Sequence, residues 1–225
     1  MKIGILSDIH GNLPALRAVM EHLESEEVDK VLCAGDIIGY YPYPNEVVSI
    51  AKNFDCILGN HESKLLGDID ERFNIDAERS ISWTDRNITS ENKKYLSGLN
   101  PTYRRLLDGI DIFMAHGSPQ NPLDEYIRED LVDEELFSGL NEIPDVIILG
   151  HTHNQFKKDL RGCLIVNPGS VGQPRDGNPE AAFAILDTES LNIELRRTSY
   201  DIDEVAEKTK KLLSKNLAER LYRGK

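Results

Sequence analysis

The chain has 225 residues, a formal net charge of -13 and a pI near 4.9. This length suffices for one domain with a full hydrophobic core. The acidity argues against duplex nucleic acid as a substrate, because that affinity depends on Lys and Arg side chains that neutralise phosphates. The apolar runs stay well below the ~20 residues that span a membrane, and the N-terminal residues run directly into a strand pattern, so we expect neither an anchor nor a signal peptide.

Residues 1–62 predict the order strand, helix, strand, helix, strand, with helices over residues 13–26 and 45–53. Short apolar runs closed by Gly, Asp or Asn are typical of buried strands. This order indicates a βαβαβ unit, which forms one half of an α/β sheet.

Residues 63–103 change in character, because they are polar and contain few β-branched runs. They predict helices over residues 76–86 and 90–96, started by Asp and Ser caps. We therefore expect a single domain over residues 1–225 that carries a helical insertion at about 63–103.

The rest of the chain is dominated by short strand patterns. The predicted strands cover residues 104–107, 110–115, 146–149, 155–160, 163–166, 181–187 and 191–197. The last of them are closely spaced around short turns, which predicts antiparallel hairpins that form a second sheet. A polar stretch at 118–130 and a predicted helix near 132–140 follow the second of these strands. The tail at 203–222 predicts one amphipathic helix that packs on the domain through an apolar stripe of Val205, Leu212, Leu213, Leu217 and Leu221.

Five of the apolar runs end in a residue type that binds metal ions. The residues that close these runs are Asp8, Asp36, Asn60, His116 and His151. The first and last runs supply a second ligand two residues later, namely His10 and His153. Sites in open sheets are built in the crevice beyond the carboxyl ends of the strands. We therefore expect these side chains to meet.

The ligand types and their number indicate a particular chemistry. Imidazole and carboxylate groups suit Mn, Fe, Zn, Ni or Co rather than Mg or Ca. Seven ligands exceed what one ion uses, whereas two ions roughly 3.5 to 4 Å apart that share a carboxylate need about this many, and such a pair catalyses displacement at phosphorus. Any one of these residues alone is equally typical of a helix cap or a turn.

The motifs carry a family resemblance. Asp8-Ile9-His10, Gly35-Asp36, Gly59-Asn60-His61-Glu62, His116-Gly117 and Gly150-His151-Thr152-His153 resemble the five ordered motifs of the calcineurin-like metallophosphoesterases. The resemblance covers residues 3 to about 186 and is strongest to the small bacterial and archaeal phosphodiesterases. It implies an α/β fold, a four-layer α-β-β-α sandwich with two mixed sheets.

The resemblance also implies roles for individual residues. One metal is held by Asp8, His10, Asp36 and His153, and the other by Asp36, Asn60, His116 and His151, so that Asp36 bridges the two ions. A hydroxide between the ions attacks phosphorus, since two cations lower the pKa of bound water. His61 stabilises the transition state or protonates the leaving oxygen.

A glycine-containing segment, residues 167–175, follows a later strand and ends in Arg175. A similar Asn-Pro-Gly-Ser element recurs in the small phosphodiesterases, and Arg175 is suited to bidentate binding of a substrate phosphate. The alternative is a structural turn with a solvated Arg. The tyrosines at 40, 41 and 43 have two alternative roles that the sequence favours equally: stacking on a substrate base, or internal packing.

The sequence thus predicts a metal-dependent phosphoesterase, with two divalent ions per chain, that acts on a small phosphodiester or phosphomonoester such as a nucleotide. The alternatives are a dinucleoside polyphosphate hydrolase, a Ser/Thr protein phosphatase and a catalytically inactive binding scaffold with the same fold. The protein phosphatases carry an Asp-Arg pair shortly after Gly-Asp, whereas this chain reads Asp36-Ile37-Ile38. A scaffold that had lost catalysis should also have lost some of the metal-ligand residues, whereas all seven are present in this sequence.

Three further expectations concern the surroundings of the site. Segment 63–103 begins shortly after His61, and segment 118–140 begins shortly after His116. Both therefore start beside the predicted ligands, and we expect them to form walls of the substrate site. The three cysteines each lie in an apolar run, which predicts buried reduced thiols and a cytoplasmic protein. Homo-oligomerisation is left open.

Overall fold

The computed structural model describes residues 1–69 and 73–225. Its strands are β1 Lys2–Leu6, β2 Lys30–Cys33, β3 Asp55–Cys56, β4 Thr102–Leu107, β5 Ile110–Ala115, β6 Val146–Ile148, β7 Gln155–Leu160, β8 Cys163–Pro168, β9 Ala181–Asp187 and β10 Asn192–Thr198. Its α-helices are α1 Leu13–Ser25, α2 Pro44–Ala51, α3 Asn60–Leu66, α4 Ile75–Asn87, α5 Ser90–Leu96, α6 Ile202–Leu212 and α7 Lys215–Leu221. Two 3-10 turns cover Glu129–Leu131 and Glu134–Phe137.

The strands form two mixed five-stranded sheets with the orders β10-β9-β1-β2-β3 and β4-β5-β6-β8-β7. In the first sheet β1, β2 and β3 are parallel, as the predicted βαβαβ unit requires. In the second sheet β5, β6 and β8 are parallel, and β4 and β7 are antiparallel edge strands. The carboxyl ends of the central strands therefore meet at one end of the molecule.

The sheets pack face to face and helical layers cover their outer faces, which confirms the predicted α/β four-layer class. The side chains of β5 show how the strand period of two divides the core. Ile112 and Met114 point between the sheets, whereas Phe113 and Ala115 point to the outer face of the second sheet. The segment that contains the two 3-10 turns packs on the outer face of the second sheet. In the part of the chain that the structure describes, no helix is long and apolar enough to cross a bilayer.

The predicted helices of the insertion are confirmed as α4 and α5, with one correction to their starts. The caps are Asn74, whose side chain accepts from the amide of Ala77, and Thr89, whose side chain accepts from the amide of Asn92. Each lies one residue before its helix, so Asp and Ser are not the capping residues. Residues 70–72 of the predicted insertion lie outside the described residues.

The placement of the C-terminal hairpin was predicted wrongly. β9 and β10 form the expected antiparallel pair, but β9 pairs with β1 and so belongs to the first sheet. Close spacing in sequence specifies a hairpin and does not specify which sheet edge it extends. In addition, the second sheet is built mainly of parallel strands, because segments 116–145 and 149–162 connect them as crossovers.

Two predicted helices were also wrong in detail. The helix expected near 132–140 is replaced by 3-10 turns, because Asp133 caps a single turn and Gly139 then adopts a left-handed φ of 82°. The tail helix breaks at Ser214, whose hydroxyl accepts from the amide of Leu217 at 3.1 Å and starts α7. As a result Leu212 is 40% exposed and does not join the apolar stripe.

Candidate metal centre

The seven predicted ligands converge at the carboxyl ends of the parallel strands. Asp8 follows β1, Asp36 follows β2, His116 follows β5 and His151 follows β6. Backbone hydrogen bonds tie the loops together, since the amide of Asp8 donates to Gly35 at 3.0 Å. Across the second sheet, the amide of Gly150 donates to His116 at 2.9 Å. The loops therefore form one rigid floor made by both sheets.

The backbone of this floor is held in an unfavourable conformation. Five of the predicted ligands have the left-handed φ angles that L-residues rarely adopt, namely Asp8 (53°), His10 (51°), Asp36 (54°), His151 (67°) and His153 (61°). Such residues cost on the order of 1–3 kcal/mol each and cluster at functional sites. The loop around Asp36 is tight as well, because a Cβ on Gly35 would lie 2.8 Å from the backbone of Gly59.

The ligand atoms lie close enough to share ions. In each of three groups the candidate atoms lie within 4.8 Å of one another, and the groups are Asp8 with His10 and His153, His10 with Asp36 and His61, and Asp8 with Asp36 and His116. All of these residues are buried. Each carboxylate belongs to two groups. His151 lies outside them and packs its ring 5.0 Å from that of His116.

Several atoms on the floor are buried without a hydrogen-bond partner. Among the described residues these include Asp8 Oδ1, Asn60 Oδ1, His116 Nε2 and His151 Nε2. Buried polar atoms are normally paired. The unpaired atoms of Asp8, Asn60 and His116 fit a site for divalent metal ions, and their chemistry suits a transition metal.

Carbonyl groups orient three of the histidine rings. Nδ1 of His10 donates to Ile38 at 3.2 Å, Nδ1 of His116 to Ala34 at 2.7 Å and Nδ1 of His153 to Gln173 at 2.6 Å. Because a carbonyl only accepts, Nδ1 carries a proton in each ring, and Nε2 is the nitrogen that faces the site. His10 Nε2 and His153 Nε2 are 3.1 Å apart, a contact that a shared cation would stabilise.

The electrostatics of the metal-free site give it anionic, cationic and neutral groups. Burial opposes ionisation of Asp36, but the neighbouring His116 and His61 outweigh it and hold the pKa of Asp36 well below its usual range. Burial likewise favours neutral His116, but the charges of Asp36 and Asp8 raise its pKa to about 10. For His61, burial dominates and lowers the pKa to about 4.

His61 lies in the first turn of α3, beside the floor and open to the pocket. Its amide donates to Asp36 Oδ1 at 2.9 Å, and its Nε2 lies 3.9 Å from Asp36 Oδ2. The rings of Tyr40 and Phe73 pack against it at 4.8 and 5.1 Å. His61 therefore lies beside the candidate metal ligands and also lines the cavity above them.

Above the floor is a cavity of about 380 Å³. It is lined by Asp36, Tyr40, Asn60, His61, Phe73, Asn74, Asp124, Tyr126, His151, His153 and Arg175. Segments 63–103 and 118–140 both contribute to it, as expected, the first through Phe73 and Asn74 and the second through Asp124 and Tyr126.

A family model described as the calcineurin-like phosphoesterase superfamily domain matches residues 1–191. The chain belongs to this superfamily. As a member of it, the protein is a metal-dependent phosphoesterase, as the sequence predicts. The His and Asp clusters are the groups that suit the divalent ions of the family.

Relatives and solved structures agree with this assignment. Protein MJ0912 of Methanocaldococcus jannaschii is 35% identical, over 99% of this chain and 98% of its own. Phosphodiesterase MJ0936 of the same organism is 29% identical, over 84% of this chain and 94% of its own. The crystal structure of a metallophosphoesterase from Sphaerobacter thermophilus is 30% identical, with a TM-score of 0.86 over 100% of this chain and 99% of that one.

Arg175 of this phosphoesterase lies at the pocket as expected. Its Nη2 donates to Tyr40 Oη at 3.2 Å and to Gln173 Oε1 at 3.1 Å. The guanidinium is therefore held beside the site by neutral partners. Tyr40 is part of the pocket, whereas Tyr41 is buried with its hydroxyl accepting from Gln173 at 2.9 Å. Stacking of Tyr40 on a substrate base stays a prediction, whereas Tyr41 is an internal packing residue.

Sequence reasoning missed Glu62 as a structural part of the floor. Its carboxylate is fully buried and accepts from the amides of Asp36, Ile38 and Gly59, each at 2.9 Å. It thereby joins the two loops that carry Asp36 and Asn60. Its place in the first turn of α3, three residues after the cap at Gly59, is the signal that could have identified it. Tyr126 was also missed as an individual residue, and no periodicity marks it.

Proposed function

We propose that the protein hydrolyses small phosphodiesters, and phosphomonoesters more slowly, with two divalent transition-metal ions per chain. The observation that carries this proposal is the pair of buried carboxylates, Asp8 and Asp36, each of which belongs to two clusters of candidate ligand atoms. Asp8, His10, Asp36 and His153 would hold one ion, and Asp36, Asn60, His116 and His151 the other. When bound, the ions supply Lewis acidity toward the phosphoryl group and lower the pKa of water at the site.

His61 supplies a hydrogen-bond donor at the reacting group. Because burial lowers its pKa to about 4, its ring is neutral near pH 7 and carries one N–H. This supports stabilisation of charge in the transition state over donation of a proton. His61→Ala should keep both ions and lower kcat by about 10²-fold or more. Equal losses of metal and rate would make His61 a ligand.

The residues that line the pocket favour a small phosphate ester that carries a planar aromatic group. Arg175 lines the pocket, and its cation would replace the arginine that protein phosphatases carry after Gly-Asp. Phe73 and Tyr126 offer aromatic faces to a base or aryl ester. The net charge of -13 disfavours long polyanions. These features favour a nucleotide-like diester over a phosphoprotein, and the names of the phosphodiesterase relatives agree. The three free cysteines support a cytoplasmic location.

The test is hydrolysis by metal-stripped protein that is reloaded with Mn, Co, Ni or Zn. We expect about two ions per chain by elemental analysis and turnover of bis-p-nitrophenyl phosphate that exceeds turnover of p-nitrophenyl phosphate. EDTA should abolish both activities. Two bound ions without turnover of any phosphate ester would favour the scaffold, and a limit of one ion would overturn the dinuclear site.

A further inference from the structure

The segment after His116 turns back sharply over the site. The amide of Gly117 donates to Pro122 at 2.7 Å, and the hydroxyl of the fully buried Ser118 donates to Glu125. The turn is close-packed, since a Cβ on Gly117 would lie 2.5 Å from the carbonyl oxygen of Asn121. This construction holds the two residues that flank Glu125 over the metal centre.

Both of these residues contact His151. Asp124 Oδ1 lies 3.5 Å from His151 Nε2, and the ring of Tyr126 lies 4.0 Å from the imidazole, centroid to centroid, at an angle of 46°. Tyr126 is 54% exposed, so it covers His151 on the pocket side. His116 packs on the same imidazole at 5.0 Å. His151 is therefore enclosed by His116 and by two side chains from one short loop.

His151 differs from the other proposed histidine ligands in how its ring is oriented. His10, His116 and His153 each donate through Nδ1 to a backbone carbonyl. His151 has no such carbonyl contact among the described residues, and its Nε2 is buried without a hydrogen bond there. Asp124 is the acidic group that faces this nitrogen.

We propose that Asp124 and Tyr126 are positioning residues that select the tautomer and the ring orientation of His151. The carboxylate of Asp124 favours the proton on Nε2, which leaves the lone pair on Nδ1 for a metal ion. The ring of Tyr126 limits rotation of the imidazole. Carboxylate partners of this kind commonly change metal affinity by about 10- to 100-fold. The inference rests on the proposed function, because it assumes that His151 is a ligand.

The test compares binding of Mn²⁺ to metal-free variants by isothermal titration calorimetry. Asp124→Ala should weaken one of two sites by about 10- to 100-fold and leave the other unchanged, and Asp124→Asn, which keeps an oxygen acceptor at this position, should weaken it less. Tyr126→Phe keeps the ring and should bind as the parent does, whereas Tyr126→Leu should bind more weakly. Glu129→Gln removes one charge from the same segment outside the pocket and is the matched control.

A second readout needs no metal. In metal-free protein labelled with ¹⁵N-histidine, the His151 signal, identified by its loss in His151→Gln, should report the proton on Nε2 in the parent and a mixture of tautomers in Asp124→Ala. Unchanged metal affinity and an unchanged tautomer would overturn the proposal, and so would equal weakening of both sites. Wild-type protein that never binds a second ion would instead contradict the proposed function.

Discussion

The floor of the site and the walls of its pocket are built differently. The floor comes from short loops at strand ends, and its proposed ligands Asp8 and Asp36 are buried, strained and tied to neighbouring loops. The walls are formed by longer segments that begin shortly after the same strand ends. These segments carry exposed or half-buried aromatic side chains, such as Tyr126. We therefore expect chemistry to depend on the rigid floor and recognition on the wall segments, except where a wall residue contacts the floor, as Tyr126 contacts His151.

The largest effect should follow from a change in the floor. Asp36→Asn removes the charge of the proposed bridging ligand and should lower kcat/KM by about 10³-fold or more, because metal ions contribute several kcal/mol to the transition state. Elemental analysis should then find fewer than two ions per chain. Asp68→Asn, an exposed carboxylate after α3, is the control and should keep both properties.

Loss of Glu62 should destabilise the floor itself. Glu62→Ala leaves three amide groups without an acceptor, and each costs about 1–3 kcal/mol when buried, so the free energy of unfolding should fall by about 3 kcal/mol or more. Urea unfolding of metal-free protein measures this change. Glu62→Gln keeps one oxygen and should lose less. Glu91, whose carboxylate is 84% exposed beside Lys52, provides the control Glu91→Gln. Equal effects of Glu62→Ala and Glu91→Gln would contradict the role of Glu62.

The floor should also make the metal-free protein labile in acid. Four of its buried histidines have lowered pKa values, and they are His10, His61, His151 and His153. Below their unfolded pKa near 6.5 the unfolded chain takes up protons that the folded chain does not, so stability falls as the pH decreases from about 6.5 toward 4. Each group contributes up to about 1.4 kcal/mol per pH unit.

His116 should act in the opposite direction. Its pKa is raised to about 10, so its contribution is complete below about pH 6.5 and is lost as the pH rises toward 10. Stability of the metal-free protein, measured by urea unfolding, should therefore peak near pH 6.5. His151→Gln should reduce the slope on the acid side, and His22→Gln, made outside the site, should not. A slope unchanged in His151→Gln would show that the floor does not set the acid lability.

The floor could be predicted from sequence better than the rest of the molecule. Short apolar runs that end in Asp8, Asp36 or His151 leave little freedom, because a buried strand must place its next residue at the sheet edge. The hairpin of β9 and β10 was assigned to the wrong sheet, since no local pattern encodes which edge a hairpin joins. The 118–140 segment was predicted only as a wall, because Asp124 and Tyr126 are placed by hydrogen bonds within an aperiodic turn.

The smallest effect should come from a wall. Phe73 packs against His61 at 5.1 Å and faces the pocket, and stacking on an aromatic ring is worth about 0.5–1.5 kcal/mol, or roughly 2- to 10-fold in kcat/KM. Phe73→Ala should therefore slow hydrolysis of bis-p-nitrophenyl phosphate more than that of methyl p-nitrophenyl phosphate, which has the same leaving group and a smaller second ester. Both ions should remain bound.

The matched control for that variant is Ile75→Ala, because Ile75 is 77% exposed two residues further along the same segment. It removes a similar apolar side chain outside the pocket and should leave the ratio of the two substrates unchanged. If Phe73→Ala lowers both rates equally, Phe73 acts on the reaction through His61, and the separation of wall from floor fails at that contact. If only the larger ester is affected, Phe73 acts in recognition and not on the reaction, although its ring contacts His61.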